Sequence, residues 1–554
     1  MSLLAIVSRI RRLFLLSLVG LTASVAGSAS ADDRPNILLM VSDDQRVDSV
    51  AVYGEEPRAE SPNLDALAAS GVLFTRAYTN SPVCAPSRRS YLAGKYPHRT
   101  GVYDFAPNHN EVDWFTEDFP IILHQHGYQT AMFGKEGGSA IRRNAQGQWR
   151  RTTAFRDAYG QVAQFRFHGM SAIVRNPGTN RFNPPINPDD PQHNILRAHP
   201  RKSNLIVGGY NPRPKGEHED DYFVKGMEAW FKGSRFDNKR PAFVKLGFVF
   251  PHTPVLPPKD IAQRFEAKDF PIPEVDPQEV AAFVPQMARL QRMMNADYPP
   301  HEMKQYIAHY FADCAYGDEV VGRAIAAFKA RSEEMGRPWI IVFTSDHGLH
   351  MGEHGFSTKW TFYDDSVRVP MIAASSDPSV FTPGQRVEDI VELVDLAPTI
   401  LEAAGLDLTD YPHLDGRSLR ATAAGEHEPR EFALHEIGHI HGYRAGLRSK
   451  DWAFSMRTRP DNPRLGRNMR WATHMTDPRR LEMQLFDLNA DPGEHRNLAD
   501  DPAYAEQVER LKAELIKRVL GDDRREYNWK ADHQKYWGTP HEAWMNHLWP
   551  FATD

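Results

Sequence analysis

Cysteine is nearly absent: the 554-residue chain carries two, Cys84 and Cys314. At most one disulfide, Cys84–Cys314, can form, which excludes a small scaffold held together by disulfides. An excess of one charge is missing too. The 66 Lys and Arg against 72 Asp and Glu leave a formal net charge of −6, which excludes bulk nucleic-acid binding. Heptads, internal repeats and long runs of like charge are absent, so neither a coiled coil nor a solenoid is expected. Beyond residue 31 no apolar run reaches the roughly 20 residues needed to span a bilayer. The mature chain is therefore expected to have no transmembrane segment. What remains is ordinary: 41% hydrophobic and 25% charged residues, in a length that suits a globular protein of two or more domains.

Residues 1–31 read as a signal peptide. Arg9, Arg11 and Arg12 form a basic region, 13–19 a short apolar core, and Ala29-Ser30-Ala31 a small-residue cleavage site ahead of Asp32. No Cys follows the apolar core, so a lipid anchor is not expected. The protein is expected to be exported, periplasmic or secreted, where thiols tend to oxidise. Cys314 lies in a strongly helical run at 302–329, with Ile307, Phe311 and Ile325 near the same face, and reads as core. Cys84 is then an unpaired thiol in a compartment where thiols are a liability.

The stretch around it, 81–97, reads S-P-V-C-A-P-S-R-R-S-Y-L-A-G-K-Y-P. It sets Cys84 at the mouth of a short helix. Pro86 suits a first helical turn, where its missing N–H is no loss, and Gly94 closes the run. The helix N-terminus and Arg88 both favour negative charge beside Cys84. From this stretch alone a core thiol and a reactive one stand equally open, because buried Cys is common.

Four apolar runs, at 37–41, 129–133, 242–250 and 339–343, read as buried strands. Each ends in ionisable groups: Asp43 with Asp44, Lys135, His252, and Asp346 with His347. A further strand is expected at 369–373. Helices are expected at 220–232, 302–329 and 391–403, and another from Ser61, as N-cap, to Gly71. This order predicts an α/β fold with a mostly parallel central sheet flanked by helices. In such a sheet the carboxyl ends of the strands lie together and ligands bind there. The strand-end residues are therefore expected to share one crevice, which Cys84 can also reach.

Asp43, Asp44 and Asp346, brought together unpaired, would repel one another, and a divalent cation resolves this. Three carboxylates favour Ca²⁺ or Mg²⁺, while His347 keeps a transition metal open. Arg88, Lys135, His252 and Lys359 add positive charge. A metal and cations around a nucleophile suit hydrolysis of a tetrahedral anionic ester, sulfate or phosphate. For Asp43 and Asp44 taken alone, capping of the next helix is the plainer alternative.

Residues 32–420 are expected to form this catalytic α/β domain, with an Arg-, Asn-, Pro- and Gly-rich excursion at 140–216 suited to substrate contacts. From 421 to 521, strand-like pieces at 431–436, 452–457 and 482–488 and a charged helix at 503–519 predict a smaller α+β subdomain with an antiparallel sheet. The tail, 522–554, carries Trp529, Trp537, Trp544 and Trp549. Their rings can stack on sugars or dock the tail onto the body.

C-A-P-S-R followed by R-S-Y-L-A-G-K resembles the signature of the type I, formylglycine-dependent sulfatases of the alkaline phosphatase-like superfamily. So do Asp43-Asp44 after an apolar strand, S-P-N-L-D-A-L-A-A-S-G-V-L-F-T-R-A-Y, D-H-G-L-H-M-G-E-H-G and L-F-D-L-N-A-D-P-G-E-H-R-N-L. These segments cover nearly all of 34–500 in the family's order, and P-H-T-P and S-D-H-G are most similar to the iduronate-2-sulfatase-like branch. The resemblance implies that Cys84 is oxidised by a formylglycine-generating enzyme to an aldehyde. One hydroxyl of its hydrate would attack sulfur, and the other would expel sulfate. It implies Asp43, Asp44, Cys84, Asp346 and His347 as ligands of one divalent ion, Ca²⁺. It implies Arg88 as the holder of the hydrate, Lys135 and Lys359 on sulfate oxygens, and His252 as proton donor to the leaving alcohol.

Two positions depart from the family pattern. G-K-E-G-G lacks the usual histidine after Lys135, leaving Glu136 as the candidate group for sulfate release, and L-A-G-K replaces L-T-G-R where the modifying enzyme reads the chain. The expected activity is that of a sulfuric ester hydrolase acting on an extracytoplasmic sulfated carbohydrate. A phosphodiesterase or phosphonate monoester hydrolase of the same superfamily is one alternative. A sulfated-glycan-binding protein without catalysis is the other.

Overall fold

A computed structural model describes residues 33–103, 118–135, 141–143, 149–151, 161–163, 194, 196–197, 206–211, 213–294, 298–357, 359–438, 443–458 and 481–519. The signal peptide, most of the 140–216 excursion and the Trp-rich tail lie outside the described residues, as does Glu136.

Among the described residues, the central sheet has eight strands. They are β1 (Asn36–Ser42), β2 (Gly71–Tyr78), β3 (Gln129–Gly134), β4 (Gln161–Ala163), β5 (Ala242–Gly247), β6 (Trp339–Ser345), β7 (Met371–Ser375) and β8 (Gln385–Glu392). Their order is β8-β2-β7-β6-β1-β5-β3-β4. Among these described strands, β7 alone runs antiparallel to its neighbours and the other pairings are parallel.

The strand β1 shows why the sheet is covered on both sides. Leu38 and Met40 join the core on one face, and Ile37, Leu39 and Val41 join the core on the other. A run apolar on both faces must be buried on both. The helices covering the first face include α3 (Glu219–Lys232) through Phe223, Val224 and Met227, and α4 (Pro300–Glu334) through Ile307, Phe311 and Cys314. On the second face, α2 (Cys84–Ala93) contributes Tyr91 and Leu92, and α5 (Leu396–Ala403) contributes Leu396, Ile400 and Leu401. A further N-terminal helix is α1 (Pro62–Ala69). Both cysteines are free and buried, so no Cys84–Cys314 bond forms.

The structure differs from the sequence reading in several places. Residues 391–403 are not one helix: Val391 and Glu392 end β8, pairing with Ala77 and Tyr78, and α5 begins only at Leu396. The strand is held there because Asn80, just after β2, donates to Glu392 Oε1 at 2.8 Å. The run at 242–250 leaves the sheet after Gly247 and continues as a turn. Ser61 stands at the start of α1 but does not cap it. Its hydroxyl accepts from the Ala51 amide at 2.7 Å and donates to Asp65 Oδ1 at 2.9 Å.

A second, antiparallel sheet follows: β9 (Ala433–Ile437), β10 (Arg444–Arg448), β11 (Trp452–Arg457) and β12 (Gln484–Asp487), in that order. Against it packs α6 (Ala505–Val519), whose Val508, Leu511 and Leu515 share a core with Leu434, Leu447 and Phe454. Among the described residues, no helix is long and apolar enough to cross a membrane.

Candidate active site

Strand register brings the acidic residues together. Ser42 of β1 lies opposite Ser345 of β6. Adjacent strands are about 4.8 Å apart, so the next residues, Asp43 and Asp346, leave the sheet side by side. On the other side of β1, Val41 pairs with Gly247 of β5, and Gly247 pairs with Gly134 of β3. Lys135 follows at once, its amide donating to Gly247 O at 2.6 Å. A Cβ at Gly247 would collide with the Lys135 carbonyl oxygen, so this close crossing needs glycine. Beyond β5, Asp220 of α3 accepts hydrogen bonds from the Val249 and Phe250 amides at 2.8 and 3.1 Å. That fixes the turn carrying His252 over the sheet's carboxyl edge.

The fifth contribution comes from α2, which is buried along its whole length and opens at Cys84. Arg88, one turn further on, shares its face. Arg88 donates through Nη2 to Asp43 Oδ2 at 2.8 Å and through Nε to Asp346 Oδ2 at 3.0 Å, with all three side chains fully buried. Around Cys84 Sγ lie Lys359 Nζ at 3.1 Å, His347 Nε2 at 3.2 Å and Asp43 Oδ1 at 3.6 Å. Lys359 also pairs with Asp44, and Lys135 with Asp43. His347 Nδ1 is 3.2 Å from Asp44 Oδ1, and His252 Nε2 is 3.9 Å from both Asp43 Oδ1 and Asp44 Oδ2. All the residues named from the sequence other than Glu136 therefore meet in one place.

The electrostatics differ from the expectation of unpaired carboxylates. Arg88, Lys135 and Lys359 already face the three aspartates. Burial pushes Asp43 up, but Lys135, His252, Arg88 and Lys359 together outweigh it and hold the carboxyl well below the usual range. Burial likewise opposes Arg88 at Asp346, and the net shift is downward. Asp44 goes the other way: burial, with repulsion from Asp43 and Asp346, exceeds the pull of Lys359 and His347. Its backbone is left-handed, φ 66°, a conformation that Asp tolerates better than most residues.

The donor set could hold a divalent ion. Asp43, Cys84, Asp346 and His347 each offer a ligand atom within 4.8 Å of the others, and Asp43, Asp44, Cys84 and His252 form an overlapping set. Buried carboxylate oxygens clustered this closely are the ligands Ca²⁺ and Mg²⁺ take.

Some positioning residues were not read from the sequence. Ser345 Oγ accepts from the Gln45 amide and donates to His347 O, each at 2.9 Å, tying the two acidic loops together. Ser87 Oγ donates to Asp346 O at 2.7 Å. The signal was the repeat of Ser-Asp at both strand ends, 42–43 and 345–346.

The family described as Sulfatase matches residues 35–406, and that described as N-sulphoglucosamine sulphohydrolase, C-terminal, matches 352–520. The chain is 28% identical over 451 residues to iduronate 2-sulfatase of Mus musculus, covering 75% of this chain and 76% of that protein. Among solved structures, one titled as a complex with its substrate D-glucosamine-2-N,6-O-disulfate superposes with a TM-score of 0.64 at 19% identity, covering 89% of this chain and 100% of that one. A phosphonate monoester hydrolase of Agrobacterium radiobacter gives 0.67 at 22%, covering 89% and 97%. At these identities the two structures speak for the fold alone.

Proposed function

The chain belongs to the sulfatase family, and from that premise we propose that it hydrolyses sulfate esters of an extracytoplasmic sulfated carbohydrate, with residue 84 as nucleophile after conversion to formylglycine. The observation that carries this reading is the position of Cys84 Sγ, ringed by Lys359, His347 and Asp43 on a fully buried α2. A thiol so enclosed by cations and potential metal ligands is poorly explained as packing.

Formylglycine would supply, as its hydrate, two hydroxyls on one carbon, one to attack and one to expel the product. Calcium, held by Asp43, Asp44, Asp346, His347 and residue 84, would supply Lewis-acid polarisation of a sulfuryl oxygen. The chain's own groups do the rest. Arg88 fixes Asp43 and Asp346 through its two bonds and lies one helical turn from the nucleophile. Lys135 and Lys359 turn their ammonium groups from the aspartates to the sulfate oxygens, where negative charge builds as the S–O bond to the alcohol breaks. His252, on the turn above, gives its proton to the departing alcohol oxygen. Burial and Lys135 hold the imidazole below its usual range, so it is the stronger acid when protonated, while a smaller fraction carries that proton at neutral pH.

The signal-peptide pattern at 1–31 supports export. The printed name of the iduronate 2-sulfatase relative supports a sulfated carbohydrate as substrate. A second reading, a phosphonate monoester or phosphodiester hydrolase using the same residues, is favoured by the fold shared with the Agrobacterium enzyme. A binding protein without catalysis gives way, because the family is one of enzymes. Parallel initial rates on aryl sulfate, aryl phosphonate and aryl phosphodiester esters test the choice. The sulfate ester is expected to have the highest kcat/KM; a higher value for either phosphorus ester would transfer the assignment to the second reading.

A further inference from the structure

Three side chains from distant segments converge outside the Cys84 cluster. Glu279 sits in a short helix, Pro277–Ala281. His354 lies in the loop between His347 and Lys359, and His495 in the turn after β12. Glu279 Oε1 is 2.5 Å from His354 Nδ1, and Oε2 is 2.8 Å from His495 Nδ1. Their ligand atoms all lie within 4.8 Å of one another. The geometry points to a second metal site, made by Glu279, His354 and His495 and suited to Zn²⁺, that clasps the C-terminal turn to the loop delivering Lys359.

The site is built rather than incidental. The Glu279 and His354 side chains are each 4% exposed, and His495 is 54% exposed, so one side stays open to solvent. His354 stacks on Tyr363 with ring centroids 3.8 Å apart and planes at 10°, which fixes where its Nδ1 points. Its backbone holds φ 54°, an uncommon conformation for a residue that is not glycine. The His495 ring lies over Gly493, where a side chain would collide with it. The neighbouring Glu494 is clamped by Arg448 at 2.9 and 3.1 Å, so the turn is anchored beside its ligand.

Two imidazoles and one carboxylate with an open fourth position are the ligands Zn²⁺ prefers, with water completing the tetrahedron. Tetrahedral bonds to zinc place neighbouring ligand atoms about 3.4 Å apart. The Glu279–His354 and Glu279–His495 contacts, 2.5 and 2.8 Å, both need to open by less than about an ångström to admit the ion. The ion would replace protons now shared between the carboxylate and the imidazoles. This inference does not rest on the proposed reaction.

The test compares calcium-saturated wild type with His495→Ala and Glu279→Gln after equilibration with ZnCl₂ and dialysis. Wild type is expected to retain one more zinc per chain than either variant. Zinc is expected to raise the thermal midpoint of wild type and to leave that of His495→Ala, altered at an exposed side chain, unchanged. Equal zinc content in the three proteins would overturn the site. Unequal content with no difference in the midpoint shift would overturn the clasp.

Discussion

Lys359 Nζ lies 3.1 Å from Cys84 Sγ, although 275 residues separate the two along the chain. Lys359 also pairs with Asp44, so one ammonium touches both the nucleophile's position and an acidic group.

Lys359→Ala is expected to lower kcat on an aryl sulfate by about 10²–10³-fold, the usual cost of one transition-state charge contact. Lys359→Arg is expected to recover little of this, since a planar fork does not fill the place of a compact ammonium. Initial rates and a far-UV circular dichroism spectrum check it. A folded Lys359→Ala protein with wild-type kcat would remove Lys359 from the site.

Arg88 is the buried counter-charge of both Asp43 and Asp346. Arg88→Ala leaves two carboxylates without it and is expected to cost about 3–5 kcal/mol of stability. Arg88→Lys keeps the charge but cannot reach both carboxylates at once, and is expected to fall in between. Urea unfolding of the three proteins gives the order.

Removal of divalent ions is expected to abolish turnover, and calcium to restore it. An ion that binds only the folded state at 100 times its Kd adds about 2.7 kcal/mol, so the thermal midpoint is expected to fall on chelation and return with calcium. A protein shown to be free of metal by elemental analysis, yet fully active, would contradict the ligand assignment.

Asp313, buried in α4, has its carboxyl pushed up to about 7 by that burial. In the unfolded chain it titrates near 3.9. Between these values the folded protein keeps a proton that the unfolded chain has lost. The associated stability is fully present below about pH 4 and is lost as pH rises through about 7. Asp313→Asn removes this dependence. The urea midpoint of wild type is expected to fall more than that of the variant between about pH 5 and pH 8; equal falls would contradict the assignment.

The centre of the fold was legible because parallel strands buried on both faces must be continuously apolar. The runs feeding Asp43, Lys135, His252 and Asp346 announce themselves in that way. The edge was harder to read. In β8, the exposed positions Arg386 and Glu388 make an edge strand look like a loop. Nor does β2 carry a turn signal at its start, since Gly71 ends one element and begins the next. Charge pairing was the least legible feature. Arg88 was expected beside residue 84, but its bonds to Asp43 and Asp346 depend on the register of β1 with β6. The meeting of Glu279, His354 and His495 depends on how the C-terminal turn docks, which no local pattern encodes.

Residue 84 is proposed to work as an aldehyde and not as a thiol. Trypsin releases it in the peptide spanning 77–88, and the mass of that peptide, taken from active protein made in its native host, is the most direct measurement. An aldehyde is expected in place of the thiol, in a proportion that tracks specific activity from one preparation to the next. A fully active preparation carrying only the unmodified cysteine would contradict it.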